Sequence, residues 1–142
     1  MTDAKQYWRR DQLSGITPPD LNKHVEFAEH IVKARGKRTQ FTSVSTSDSR
    51  IDLFGPQLYA LLQTKLAEDG HLLVQHEALL RALQEASKTG EKAARQKAVQ
   101  ATRYARKNYE GLVDWRFDLK GVEAKSLFVW TADKVRPYFV RR

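Results

Sequence analysis

The run Gln40-Phe41-Thr42-Ser43-Val44-Ser45-Thr46-Ser47 constrains this chain more than any other stretch. It is rich in β-branched and aromatic residues and ends in three consecutive hydroxyls, so it reads as a strand. Side chains alternate along a strand, which sends Phe41, Ser43, Ser45 and Ser47 to one face and Gln40, Thr42, Val44 and Thr46 to the other. One face is then lined by hydroxyls. Such a face suits a sugar or amide edge, or the polar side of an edge strand.

The 142 residues suit a single domain, 1–142, and 41% hydrophobic with 30% charged residues places the chain among globular rather than disordered sequences. No apolar run is long enough to span a bilayer, and Met1 to Gln6 lacks the apolar core of a secretory signal. With no cysteine, disulfides and thiolate chemistry are both excluded. His24, His30, His71 and His76 are spaced six and five apart within each pair, not at the three or four that puts ligands on one helix face, so no metal site is expected. The net charge of +8 favours phosphates of nucleic acid or nucleotides, or an acidic protein such as an immunity or antitoxin partner.

Along the chain, Gln6 to Arg10 reads as a short strand with Arg9 and Arg10 on opposite faces. Thr17-Pro18-Pro19-Asp20 reads as the start of a helix whose face is Leu21, Val25, Ala28 and Val32, ending at Gly36. Ser49 and Asp52 resemble a capping box for a short helix after the hydroxyl strand, and Leu58, Tyr59, Leu62 and Leu66 suggest another helix up to Gly70. Leu72 to Ala86 is Leu-rich, with Leu72-Leu73-Val74 equally readable as strand. From Glu91 to Leu112 a helix is expected with Ala94, Ala98, Ala101, Ala105, Tyr109 and Leu112 inside about 80° of arc. On nearly the opposite side Lys92, Arg95, Arg103, Arg106 and Lys107 make a cationic stripe uninterrupted by acid, suited to a phosphate backbone. Asp114 to Leu119 and Val122 to Trp130 alternate as strands around Lys120-Gly121, and Tyr138 to Val140 reads as a last one. The expected fold is α+β, a small mixed sheet with an N-terminal helix and a helical middle of two to three helices.

Glu123 opens a strand expected to be buried, directly after a glycine turn, where partial desolvation raises a carboxyl's proton affinity; Lys125 on the same face could instead pair with it. Arg9 or Arg10, then Ser45-Thr46-Ser47, then Glu123 form an ordered triple that resembles the Arg, Ser-Thr-Ser, Glu class of mono-ADP-ribosyltransferases, common among bacterial toxins. Phe54-Gly55 looks like the aromatic-plus-small ending that follows the hydroxyl motif in that family. The resemblance implies NAD as substrate and no metal. It gives the arginine a phosphate of NAD to hold and the hydroxyl strand to brace, the first serine the nicotinamide ribose, and the glutamate the oxocarbenium-like transition state. NAD contacts would come from Arg9, Arg10, Ser45, Thr46, Ser47 and Phe54. It also implies a cytoplasmic site of action, delivery by a secretion system, and a place as the catalytic end of a larger toxin. Members that modify arginine carry two acids one residue apart, and the position two after Glu123 is Lys125, which points to another acceptor. With the basic stripe, RNA or DNA fits best.

Two other readings use the same residues. A metal-independent ribonuclease toxin would draw its base, acid and cation from Arg38, His71, His76, Glu123 and the stripe. A non-catalytic nucleic-acid-binding module would use the stripe and the aromatic residues alone.

Overall fold

The computed structural model describes residues 5–21, 23–33, 38–115 and 132–142. Six strands form one sheet in the order β4-β5-β2-β1-β3-β6, with every pairing antiparallel. They are β1 (Trp8–Asp11), β2 (Phe41–Ser45), β3 (Gln57–Leu61), β4 (Leu72–Val74), β5 (Glu110–Asp114) and β6 (Phe139–Arg141). The helices are α1 (Phe27–Lys33), α2 (Gln63–Glu68), α3 (His76–Ala86), α4 (Lys92–Asn108) and α5 (Ala132–Val135). The class is α+β, as expected, although the sheet is wholly antiparallel along its described pairings.

The hydroxyl strand is central. Its register with β5 sets Phe41, Ser43 and Ser45 beside Asp114, Leu112 and Glu110, and opposed residues share a face. On that side Phe41, Leu112 and Val74 pack under α1, α3 and α4 through Leu79, Leu83, Ala101 and Ala105. On the other side Val44 and Val113 join Tyr7, Tyr59, Leu61, Trp115 and Phe139 in a second core. Trp115 is fully buried there, and its indole N–H finds the Thr42 hydroxyl at 2.7 Å.

β1 and β2 meet at one register pair, Trp8 with Ser45, after which β1 continues along β3 alone. The sheet is thus two three-stranded halves joined at a narrow seam. Arg9 reaches back across the seam, its Nη1 donating to the Ser43 carbonyl at 2.8 Å.

Several elements differ from the sequence expectation. The first helix begins at Phe27, not Thr17, because the preceding residues spend their hydrogen bonds on β1 and on the segment leading into β2. Thr17 gives its N–H and hydroxyl to the Asp11 carboxylate, Asp20 N–H goes to Thr39 O, and the buried Gln40 amide takes both backbone groups of Val25. Leu58 to Leu61 lie in β3 instead of a helix, since Tyr59 and Leu61 are needed in the second core while β1 and β6 supply pairing on both edges. Ser49 offers Asp52 its carbonyl instead of a side-chain cap, and only a 3-10 turn over Asp52–Phe54 forms. α4 stops at Asn108, so Leu112 belongs to β5. The expected strand to Leu119 ends at Asp114 as β5, and the stretch Val122 to Trp130, with Glu123, lies outside the described residues.

Two glycines are demanded by close backbone approach. A Cβ on Gly55 would sit 2.7 Å from the Asp11 carbonyl, and one on Gly111 would sit 2.7 Å from the ring of buried Tyr7. Backbone cannot yield as a side chain does, so Gly55→Ala should cost about 2–3 kcal/mol, read as a fall in the urea midpoint. Gly111→Ala should cost about 2–3 kcal/mol as well, because the Tyr7 ring is buried with its hydroxyl held by His76 N–H and the Val74 carbonyl lies 3.0 Å from the same position.

Candidate functional site

The turn from α4 into β5 places the most unusual carboxylate of the described residues. Tyr109 ends α4 with φ 49° and ψ 46°, the left-handed region, where a bulky side chain is disfavoured. Its strain is held by bonds on both sides: Tyr109 O accepts from Thr46 N–H, and the Ser45 hydroxyl donates to Asn108 O at 2.5 Å. The next residue is Glu110.

Glu110 is 7% exposed, and its Oε2 accepts from the Ser43 hydroxyl at 2.9 Å. Burial pushes its carboxyl up to about 7, against the lowering pull of Ser43 and of the Arg9 guanidinium. Ser43 Oγ also lies 2.8 Å from His30 Nε2, whose Nδ1 lies 2.6 Å from Thr39 Oγ1. Burial, helped by Arg9, pushes His30 down to about 4, so the ring is neutral at ordinary pH. Arg9 itself is fixed by Asp11 Oδ2 at 2.8 Å. Burial alone would raise the Asp11 carboxyl, but Arg9 and bonds from Thr17 and Gln12 outweigh it and hold it below the usual range. With Nε on Asp11 and Nη1 on Ser43 O, Arg9 has Nη2 left to meet an anion.

The expected site residues fare differently. Arg9 and the hydroxyl strand do come together. Arg10 leaves by the other face, bonding Gly55 O at 3.3 Å and lying 3.6 Å from Asp52. This ties down the 3-10 turn that carries Phe54, a residue 59% exposed. Ser45 is sealed at 1% exposure, its hydroxyl spent on Asn108 O and on the N–H of Ser47. It therefore fixes the turn before Glu110, and the half-buried hydroxyl beside the carboxylate is Ser43, one alternation earlier. Thr46 is half-buried, and Ser47 Oγ accepts from Arg50 N–H. Glu123 lies outside the described residues. His71 packs edge-on to Trp115 and Tyr138, and His76 Nδ1 lies 2.8 Å from Glu110 O, so the two occupy separate places.

Sequence reading missed Glu110, His30 and Ser43 as a group because Glu110 was placed inside a helix. The signal available was the alternation itself, which already set Ser43 on the hydroxyl face. The stripe residues Lys92, Arg95, Arg103, Arg106 and Lys107 are all exposed, on the helix that runs into Glu110. A largely apolar groove between α1, α3 and α4, bordered by Phe27, Leu83 and Ala98, is not lined by Arg9, His30, Ser43 or Glu110. Among the described residues no cluster suited to a metal ion is present, and no helix is long and apolar enough to cross a membrane. No protein-family model matches the chain, and comparisons with curated proteins and with solved structures find no match.

Folded Glu110 keeps its proton up to about 7, whereas an unperturbed carboxyl releases it near 4.5. Its contribution to stability is therefore full below 4.5 and is lost as pH rises through 7. His30 works oppositely, contributing above 6.5 and losing that contribution as pH falls through about 4. Glu110→Gln cannot ionise, so its Tm minus that of the parent should grow between pH 4.5 and 7 and level off above, reaching roughly 5 °C or more. Thermal denaturation across that range checks it.

Proposed function

We propose that this chain is an NAD-consuming ADP-ribosyltransferase in which Arg9, Ser43 and Glu110 do the work expected of an arginine, a hydroxyl strand and a glutamate. One observation carries the reading. Ser43 donates to the Glu110 carboxylate at 2.9 Å while Arg9 holds the same serine's carbonyl at 2.8 Å, at the seam where β1 and β2 part.

The chemistry follows from these groups. Breaking the bond between nicotinamide and ribose sends the electron pair out with nicotinamide and leaves positive charge on the anomeric carbon and ring oxygen. A fixed carboxylate beside that carbon favours the transition state over the ground state, and it does so most strongly where water is scarce. Glu110 is such a group once ionised. The spare amino group of Arg9 suits a phosphate oxygen. The acceptor nucleophile then attacks the ribosyl cation and gives up its proton to solvent.

Residues two before and two after Glu110 are Asn108 and Leu112. Neither supplies the second acid that accompanies transfer to protein arginine. The exposed basic face of α4 leads to Glu110, which favours an anionic acceptor, RNA or DNA. The ribonuclease reading gains less support: of its two histidines, His71 packs edge-on against Trp115 and Tyr138 while His76 sets Nδ1 on the Glu110 carbonyl, so they do not face one another across a shared site.

Purified protein should release nicotinamide from NAD, or label nucleic acid from labelled NAD. Glu110→Gln should lower either rate by roughly 10²- to 10³-fold, and no NAD turnover by folded parent protein would discard the reading. Because the ionised carboxylate is the working form, kcat/KM should rise with pH through about 7 and then flatten. For the acceptor surface, Arg103→Ala with Arg106→Ala should weaken binding to RNA by about tenfold and make its salt dependence shallower by about two units of slope. Filter binding over a salt series reads both.

A further inference from the structure

His30 is buried, ionisable and unused by the chemistry above, yet both of its ring nitrogens are engaged. One assignment of the donors and acceptors around it gives every hydrogen a partner. Phe41 N–H donates to Thr39 Oγ1 at 3.1 Å, so the Thr39 hydroxyl hydrogen must go elsewhere. The acceptor beside it is His30 Nδ1 at 2.6 Å. A neutral imidazole that accepts at Nδ1 carries its proton on Nε2. Nε2–H then donates to Ser43 Oγ at 2.8 Å, which leaves the Ser43 hydrogen for Glu110 Oε2 at 2.9 Å. Reversing the chain would strand the Thr39 hydrogen in a buried place.

We infer that His30 is a positioning residue that acts through Ser43 to keep Glu110 at the accepting end of a one-way hydrogen-bond chain beginning at Thr39. The inference rests on Glu110 being the working carboxylate. A serine that receives a hydrogen bond is a stronger donor itself, so the chain favours the ionised carboxyl against its burial. The chain is local and short-ranged. Among the described residues, the charged or titratable groups around it are Arg9 from β1 with its counter-ion Asp11, His76 at the start of α3, Glu26 just before α1, and Glu29 on α1, the last lying 4.0 Å from Lys97 of α4. None of these lies between His30 and Glu110; Ser43 does.

The test uses the full chain with labelled histidine and glutamate. In the parent protein near neutral pH, ¹⁵N spectra should show His30 protonated at Nε2 and bare at Nδ1. His30→Phe keeps a ring against Phe41, which His30 meets edge-on at 5.5 Å, but has no nitrogen. It should move the ¹³C titration midpoint of the Glu110 carboxyl upward by about one pH unit, with the rising limb of NAD turnover moving equally. Above both midpoints, turnover should return to within a few-fold of the parent, which a merely structural lesion would not allow. Thr39→Val should shift the midpoint the same way and Thr39→Ser should restore it, so the question stays answerable if His30→Phe does not fold. A proton on Nδ1, or an unshifted midpoint in folded Thr39→Val, overturns the inference. Shifted midpoints in a protein that never consumes NAD would support the hydrogen-bond chain and overturn the transferase reading alone.

Discussion

Holding one carboxylate nearly out of water is the demand around which this protein is arranged. Glu110 sits under a helical layer on a sheet face, and a carboxyl there is tolerated only if it keeps a proton or is given donors. The structure supplies a hydroxyl at 2.9 Å and a guanidinium in the same neighbourhood. Everything needed to bring them there comes from elements far apart in the chain: β1 for Arg9, β2 for Ser43, and the end of α4 for Glu110.

Two local constraints make that meeting reproducible. The first is the left-handed Tyr109, which turns a helix into a strand in a single residue and is locked by Ser45 and Thr46. Strain of this kind persists where surrounding bonds over-determine it, and it marks places where orientation matters. The second is the seam between β1 and β2, paired only at Trp8 and Ser45. Because the ladder ends there, the carbonyl of Ser43 is free to take a side-chain donor, and Arg9 provides it. Opening a sheet at its centre costs backbone hydrogen bonds, and an arginine with a carboxylate partner is well suited to replace them.

The hydroxyl run divides its labour by alternation and depth. Ser43 faces the carboxylate, Thr42 on the other face serves the indole of Trp115, and Ser45 ties down the α4 turn. Residues of identical chemistry thus take separate roles because each meets a different neighbour. The same principle separates Arg9 from Arg10, which diverge to the two sides of one strand and serve different partners.

The sequence by itself determined the α+β class, the strand character of the hydroxyl run and its facing pattern, the amphipathic α4 with its basic side, and the last strand. These are local periodicities, and a period of two or of 3.6 is written in neighbouring residues. Only the tertiary structure decided that Val25 would bond to Gln40 instead of joining a helix, that Tyr59 and Leu61 would be strand, and that α4 would break at Tyr109. It also chose Ser43 over Ser45 as the hydroxyl that meets the carboxylate, and it brought both His30 and Glu110 onto that hydroxyl. Those outcomes depend on groups tens of residues away competing for the same hydrogen bonds and the same buried space, and no local pattern records which competitor wins.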